Sequence, residues 1–208
     1  MHIPEGGVIS TEIMVTGWAV TGCGLGLGLR NMDDEMIPAA AVLSSAFFVA
    51  SLIHVPTGVS SVHLVLNGLA GIVLGWTAFP VIFIGLLLQA VLFGFGGITV
   101  LGVNTAAMAL PAVLCGRLFR VFARTENAVL FTAAGVVCGA GSIFFSALLV
   151  FLFLLASRYE YLAPALVFLS LYAWVMIAEG VINGFIVVFL RKVCPELLDL
   201  SLKGEKHA

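Results

Sequence analysis

The chain opens Met1-His2-Ile3-Pro4, and these first residues carry a specific chemistry. Histidine at position two lines up a terminal amine, the amide nitrogen that joins it to Met1, and an imidazole. Around one small divalent ion these nitrogens close fused five- and six-membered chelate rings. Deprotonating the amide needs a strong Lewis acid that favours a planar field, which selects Ni(II), Cu(II) or low-spin Co(II) over Ca, Mg and Mn. A fourth nitrogen would complete the square. Histidine recurs only at His54, His63 and His207. The last sits in a charged tail, so His54 or His63 is the available donor. Pro4 stiffens the chain beyond the chelate, and Gly6-Gly7 permits the reversal needed to insert it. On the residues alone a plainer reading comes first, with His2 on a solvated terminus and His63 packed or capping in a helix.

The other conspicuous polar side chains are Asn67, Gln89, Asn104, Glu179 and Asn183. Asn67 lies one helical turn beyond His63 if both belong to one helix. Gln89 falls in the middle of an apolar stretch and requires an interhelical partner there. Glu179 is the carboxylate set deepest in an apolar segment, with Asn183 one turn along. It reads either as a proton relay or as a neutralised, hydrogen-bonded structural group. No glycine-lysine phosphate loop, metalloprotease histidine pair or serine-histidine-acid set occurs, so the chain is not expected to be an enzyme or to hydrolyse ATP itself.

The elements that must position these groups are set by composition. Of 208 residues, 62% are hydrophobic and 10% charged, against the roughly 25% charged residues of a soluble domain. That excludes water as the main solvent, and a net charge of -2 offers no field for nucleic-acid phosphates. Apolar runs at about 11–29, 38–54, 62–75, 80–95, 105–122, 126–157 and 161–190 predict seven spanning helices, the third and fourth short. Such continuous runs are too long for barrel strands. Residues 55–61 form a weakly polar connector, 76–80 a tight turn, and 94–104 irregular apolar chain. The expected fold is an all-α polytopic membrane bundle, residues 1–194 forming one domain and 195–208 a polar tail.

With the N-terminus outside, the inner side collects Arg30, Arg117, Arg120, Arg124, Arg191, Lys192, Lys203 and Lys206 and leaves Arg158 alone outside. The positive-inside rule therefore predicts an outer N-terminus and a cytoplasmic C-terminus. No basic residue precedes the first apolar run, so the mature chain is expected to begin at or near Met1. Cys23, Cys115, Cys138 and Cys194 are too dispersed for a thiolate metal site or a disulfide framework and read as apolar fillers. Glycines four apart, Gly24/Gly28, Gly71/Gly75, Gly135/Gly139 and Gly180/Gly184, suit close helix packing or a docking face for another membrane subunit.

The opening Met1-His2-Ile3-Pro4-Glu5-Gly6 and the stretches Val59-Ser60-Ser61-Val62-His63-Leu64 and Leu66-Asn67-Gly68-Leu69 resemble the CbiM/NikM family. So do Phe93-Gly94-Phe95-Gly96-Gly97, Leu101-Gly102-Val103-Asn104-Thr105 and Met108-Ala109-Leu110-Pro111. The resemblance is dense to about residue 120 and rests on hydropathy and length beyond it. These proteins are substrate-specificity (S) components of prokaryotic energy-coupling-factor importers of cobalt or nickel ions.

The resemblance implies seven spanning helices in a prokaryotic cytoplasmic (inner) membrane. It also implies four metal-binding nitrogens: the Met1 amine, the His2 amide nitrogen, the His2 imidazole and the His63 imidazole. It thereby selects His63 over His54, and makes His54, Asn67 and Asn104 candidates for the hydrogen bonds that orient the ligands. Gln89, Glu179 and Asn183 remain as buried polar or coupling residues. No resident cofactor is implied; Co(2+) or Ni(2+) is the transported substrate, with cobalt favoured by the wording of residues 94–111. The implied partners are a transmembrane coupling subunit, two cytoplasmic ATP-binding subunits and a small accessory membrane subunit, the last not fused to a chain that ends soon after its seventh helix. Two alternatives stand beside this: a proton-coupled secondary transporter or channel built on Glu179, and a structural membrane subunit without a substrate site.

Overall fold

A computed structural model describes residues 3, 7–52, 54–56, 61–157, 160 and 162–198, with backbone alone at 54–56, 61–62 and 164. Seven α-helices are described: α1 (Thr11–Arg30), α2 (Ile37–Leu52), α3 (Asn67–Leu74), α4 (Ala78–Phe93), α5 (Leu101–Ala123), α6 (Ala128–Ser157) and α7 (Leu162–Val193). Among the described residues, five stretches are long and apolar enough to cross a membrane: Thr11–Arg30, Asn67–Phe93, Leu101–Ala123, Ala128–Ser157 and Ala165–Val193. The 16-residue α2 is shorter.

The polarity of the bundle is the reverse of a soluble protein's. Trp174 and Phe185 are each 75% exposed, while Asn67, Gln89, Asn104, Ser142, Ser146, Glu179 and Asn183 are buried. Large apolar side chains outside and hydrogen-bonding ones inside suit hydrocarbon as the surrounding solvent.

Two sequence expectations are corrected in the middle of the chain. Residues 54–63 do not divide between two helices and a plain connector. They include an antiparallel hairpin of β1 (His54–Pro56) and β2 (Ser61–His63), with His54 paired to His63 and Val55 to Val62. The third helix starts at Asn67, not at 62, so His63 and Asn67 do not share a helical face. Leu66 caps α3 in the left-handed region at φ 56°, and this breaks any continuation of helix back to His63.

Asn67–Phe93 is not one straight rod. Along α5, Asn67 lies at Met108, Gly71 at Ala112 and Gly75 at Arg120. Along α1, Thr77 lies at Gly28, Phe79 at Gly24 and Phe83 at Trp18. Since α1 passes Gly102 at Thr21 on its way to Thr77, and α5 runs from Gly102 to Gly75, both descend to the same end. Therefore α3 descends beside α5, and α4 climbs back beside α1. The reversal is a 3-10 turn, Gly75–Thr77, opened by Gly75 at φ 57°, which favours glycine. Eight residues give α3 a length of only about 12 Å, so its start lies inside the bundle rather than at its rim.

The loop before α5 is irregular, as its composition predicts, with Gly94, Gly96 and Gly97 at positive φ. The helix nevertheless begins at Leu101, which brings Asn104 into its first turn. At the other end of the chain, residues 195–198 form helix and Leu198 packs with Ile72, Phe119 and Phe131. The bundle thus extends past the expected start of the polar tail at 195.

Candidate metal centre

Met1 and His2 lie outside the described residues; Ile3 shows where the amino-terminal chain goes. It is 1% exposed and packs in the main apolar core. Its backbone is gripped on both sides by one side chain. Ile3 N donates to Asn104 Oδ1 at 3.0 Å, and Asn104 Nδ2 donates to the Ile3 carbonyl at 3.2 Å. A primary amide is the side chain whose donor and acceptor match those of a peptide group. Seven residues on, Ser10 N donates to Ser157 Oγ at the end of α6 (3.0 Å). Ile3 and Ser10 are therefore tied to two different helices.

His63 ends β2 and is 3% exposed. Its Nδ1 lies 2.7 Å from the carbonyl oxygen of Leu64. A carbonyl only accepts, so Nδ1 carries the proton and the lone pair sits on Nε2, the tautomer a metal ligand needs. Asn67 is the first residue of α3; its Nδ2 donates to the Met108 carbonyl (3.2 Å) and to Ser146 Oγ (3.0 Å). Asn104 and Met108 stand one turn apart on α5. One turn of one helix thus references both the amino-terminal chain and the start of α3, just beyond the His63 segment.

The third hold comes from α7. Glu179, fully buried, accepts hydrogen bonds at Oε1 from Val65 N and from Leu66 N, the latter at 2.8 Å. Two successive amides, with Leu66 left-handed between them and α3, form a small anion-binding concavity that the carboxylate fills. Tyr172, two turns earlier on the same face of α7, is buried with its hydroxyl against the His63 backbone. Asn183, one turn later, donates from Nδ2 to the Glu179 carbonyl (2.9 Å) and packs on Gly139.

Of the residues singled out from the sequence, the structure joins Asn104 to Ile3, Asn67 to α5 and α6, and Glu179 to the turn after His63. Asn183 stays one turn away from that turn. Among the described residues neither atom of the buried Gln89 side-chain amide has a hydrogen-bond partner, so the expected interhelical partner is not found there, and nothing in the structure explains that. Cys115 and Cys138 are buried and unpaired, as apolar filling requires. Sequence reading passed over Tyr172, Ser146, Ser157 and the left-handed Leu66. For Tyr172 a signal was available, since residues 172, 179 and 183 recur at helical spacing on one face.

Comparison with known proteins agrees with this architecture. Residues 2–197 match the family described as "Cobalt uptake substrate-specific transmembrane region". A Haemophilus influenzae protein named for metal transport is 39% identical over 204 residues, spanning 96% of this chain and 97% of that one. A fused nickel transport protein, NikMN, of Rhodobacter capsulatus is 34% identical over 116 residues, 53% of this chain and 33% of its own. A crystal structure of a transition metal transporter superposes with a TM-score of 0.74 at 25% identity, covering 93% of each chain. With a match along nearly its whole length and the fold to accompany it, the chain belongs to the CbiM family of cobalt/nickel transporter membrane components.

Proposed function

We propose that this chain is the substrate-capture subunit of an energy-coupling-factor importer in a prokaryotic cytoplasmic membrane, taking up cobalt in preference to nickel. The ion is held by the Met1 amine, the His2 amide nitrogen, the His2 imidazole and Nε2 of His63. Asn104 and Asn67 orient the two parts of that site. Partner subunits do the energised work: a transmembrane coupling subunit, two cytoplasmic ATP-binding subunits and a small accessory membrane protein. The loaded bundle reorients against the coupling subunit to deliver the ion inward.

The observation that carries this reading is the two-sided grip of Asn104 on Ile3. Ile3, one residue from His2, is 1% exposed and held in the core rather than left in solvent. The His63 tautomer supports it from the other side. The test is metal titration, with elemental analysis, of the native chain, His63→Ala, and a chain carrying two residues ahead of Met1. Two are chosen because one would move the imidazole to position three, where an amine, two amides and the ring make a rival planar chelate. Both altered chains should lose at least about 100-fold in affinity for Co(2+) and Ni(2+); equal binding by all three sinks the site. A competition between the two ions on the native chain tests the preference for cobalt.

A further inference from the structure

We propose that Glu179 is the positioning residue of His63, acting through a single peptide group. This rests on His63 being the fourth nitrogen donor. The Leu64–Val65 peptide has two ends. Its N–H donates to Glu179 Oε1, and its carbonyl oxygen accepts the proton of His63 Nδ1 at 2.7 Å. The resulting chain runs carboxylate, peptide, imidazole, and ends at Nε2. It performs the task of the carboxylates that hydrogen-bond directly to metal-binding histidines, fixing tautomer and ring plane and raising the basicity of the ligand. Here a peptide stands between, and its polarisation by the carboxylate strengthens the bond to Nδ1.

Three features show that this turn depends on the carboxylate. Leu66, whose N–H is the second donor to Oε1, is the one non-glycine residue at positive φ among those described, a conformation a leucine does not keep unaided. Among the described residues the hydrogen bonds of the carboxylate are confined to Oε1, and Oε2 has no partner there; its structural work is spent on this turn. Tyr172 of the same helix meets the His63 backbone, so α7 holds the strand end at two points.

The test uses the purified full-length chain and Ni(2+), whose planar four-nitrogen complexes show a visible ligand-field band. Wild type, E179M, E179Q and H63A are compared for affinity and band position. E179M removes both acceptor bonds; it should lose about 10–100-fold in affinity and move the band toward that of H63A. E179Q keeps a carbonyl facing both amides; it should bind within about tenfold of wild type with the wild-type band, its neutral acceptor being weaker than a carboxylate. If E179M does not fold, the double variant E179M/L66G, whose turn no longer holds a left-handed leucine, carries the same comparison. E179M with wild-type affinity and band overturns the proposal. A wild-type band that H63A leaves unmoved is a different result: it removes the four-nitrogen site and this proposal with it.

Discussion

Asn104 shows how much of this protein's business is done by single side chains. Its amide is the mirror of a peptide group, and Ile3 is the peptide it holds. Asn104→Asp keeps an acceptor for Ile3 N but faces the Ile3 carbonyl with a second oxygen. Asn104→Leu removes both bonds and leaves two buried backbone groups unpaired, a cost of about 1–3 kcal/mol for each. The expected order of affinity for Co(2+) is therefore wild type, then Asp, then Leu, with the leucine variant weaker by about 10–100-fold. Chelator competition on the detergent-solubilised chain measures it; a leucine variant that binds as tightly as wild type would show that the terminus does not depend on this grip. Asn104 could be singled out from sequence because an amide in so apolar a segment needs a partner. Which partner could not be read, since Ile3 is 101 residues away and offers backbone, which has no residue type.

The helices themselves follow from local chemistry, and the glycines show how closely. A Cβ on Gly71 would stand 1.9 Å from the Ala112 carbonyl oxygen, and one on Gly116 2.1 Å from the carbonyl of Gly71. Here α3 and α5 touch backbone to backbone, where van der Waals contact replaces the absent hydrophobic effect. Gly24 meets Phe79, Gly28 meets Pro80, Gly135 meets Val187 and Gly184 meets Val136, so these spaced pairs pack the bundle. Gly22 and Gly26 on α1 meet nothing within 4 Å. Gly71→Ala should therefore destabilise by about 1–3 kcal/mol as the two helices separate, while Gly22→Ala leaves the melting temperature in detergent unchanged or raises it, since alanine is the better helix former. Equal melting of the two variants would contradict the packing. Apolar runs located six of the helix starts to within about a turn. The start of α3 was missed because Leu64, Val65 and Leu66 continue the apolar run, and hydropathy does not distinguish extended chain from helix. What ends the helix there is a carboxylate 113 residues further on. The hairpin was missed for a related reason: three-residue strands are too short to display an alternating pattern.

On the scale of the whole molecule, charge and packing meet at one end of the bundle. Arg117 stacks over Trp76 at 5.0 Å, Arg120 lies beside Gly75 at the α3–α4 turn, and Arg191 donates to the Thr125 carbonyl at 2.9 Å while covering Phe131. Basic side chains that snorkel from helix ends to a polar boundary, with an aromatic beside them, mark a membrane surface. The positive-inside rule predicts that this surface is the cytoplasmic one. On that prediction the Ile3–Asn104 and His63 region lies toward the outer side, where the proposed importer would meet its ion. The predicted topology puts the α4–α5 loop at the outer end and the α5–α6 loop at the inner one, and each offers an exposed residue: Ile98 is 58% exposed, and Glu126 is also exposed. In a background with the four native cysteines replaced by alanine, Ile98→Cys should react with a membrane-impermeant maleimide in intact cells. Glu126→Cys should react only after lysis. The opposite pattern would invert the topology and put the site on the side from which an importer releases its cargo, which the capture role could not survive. Labelling of both in intact cells would mean that the 124–127 loop is not enclosed by the membrane, and the predicted topology would fall.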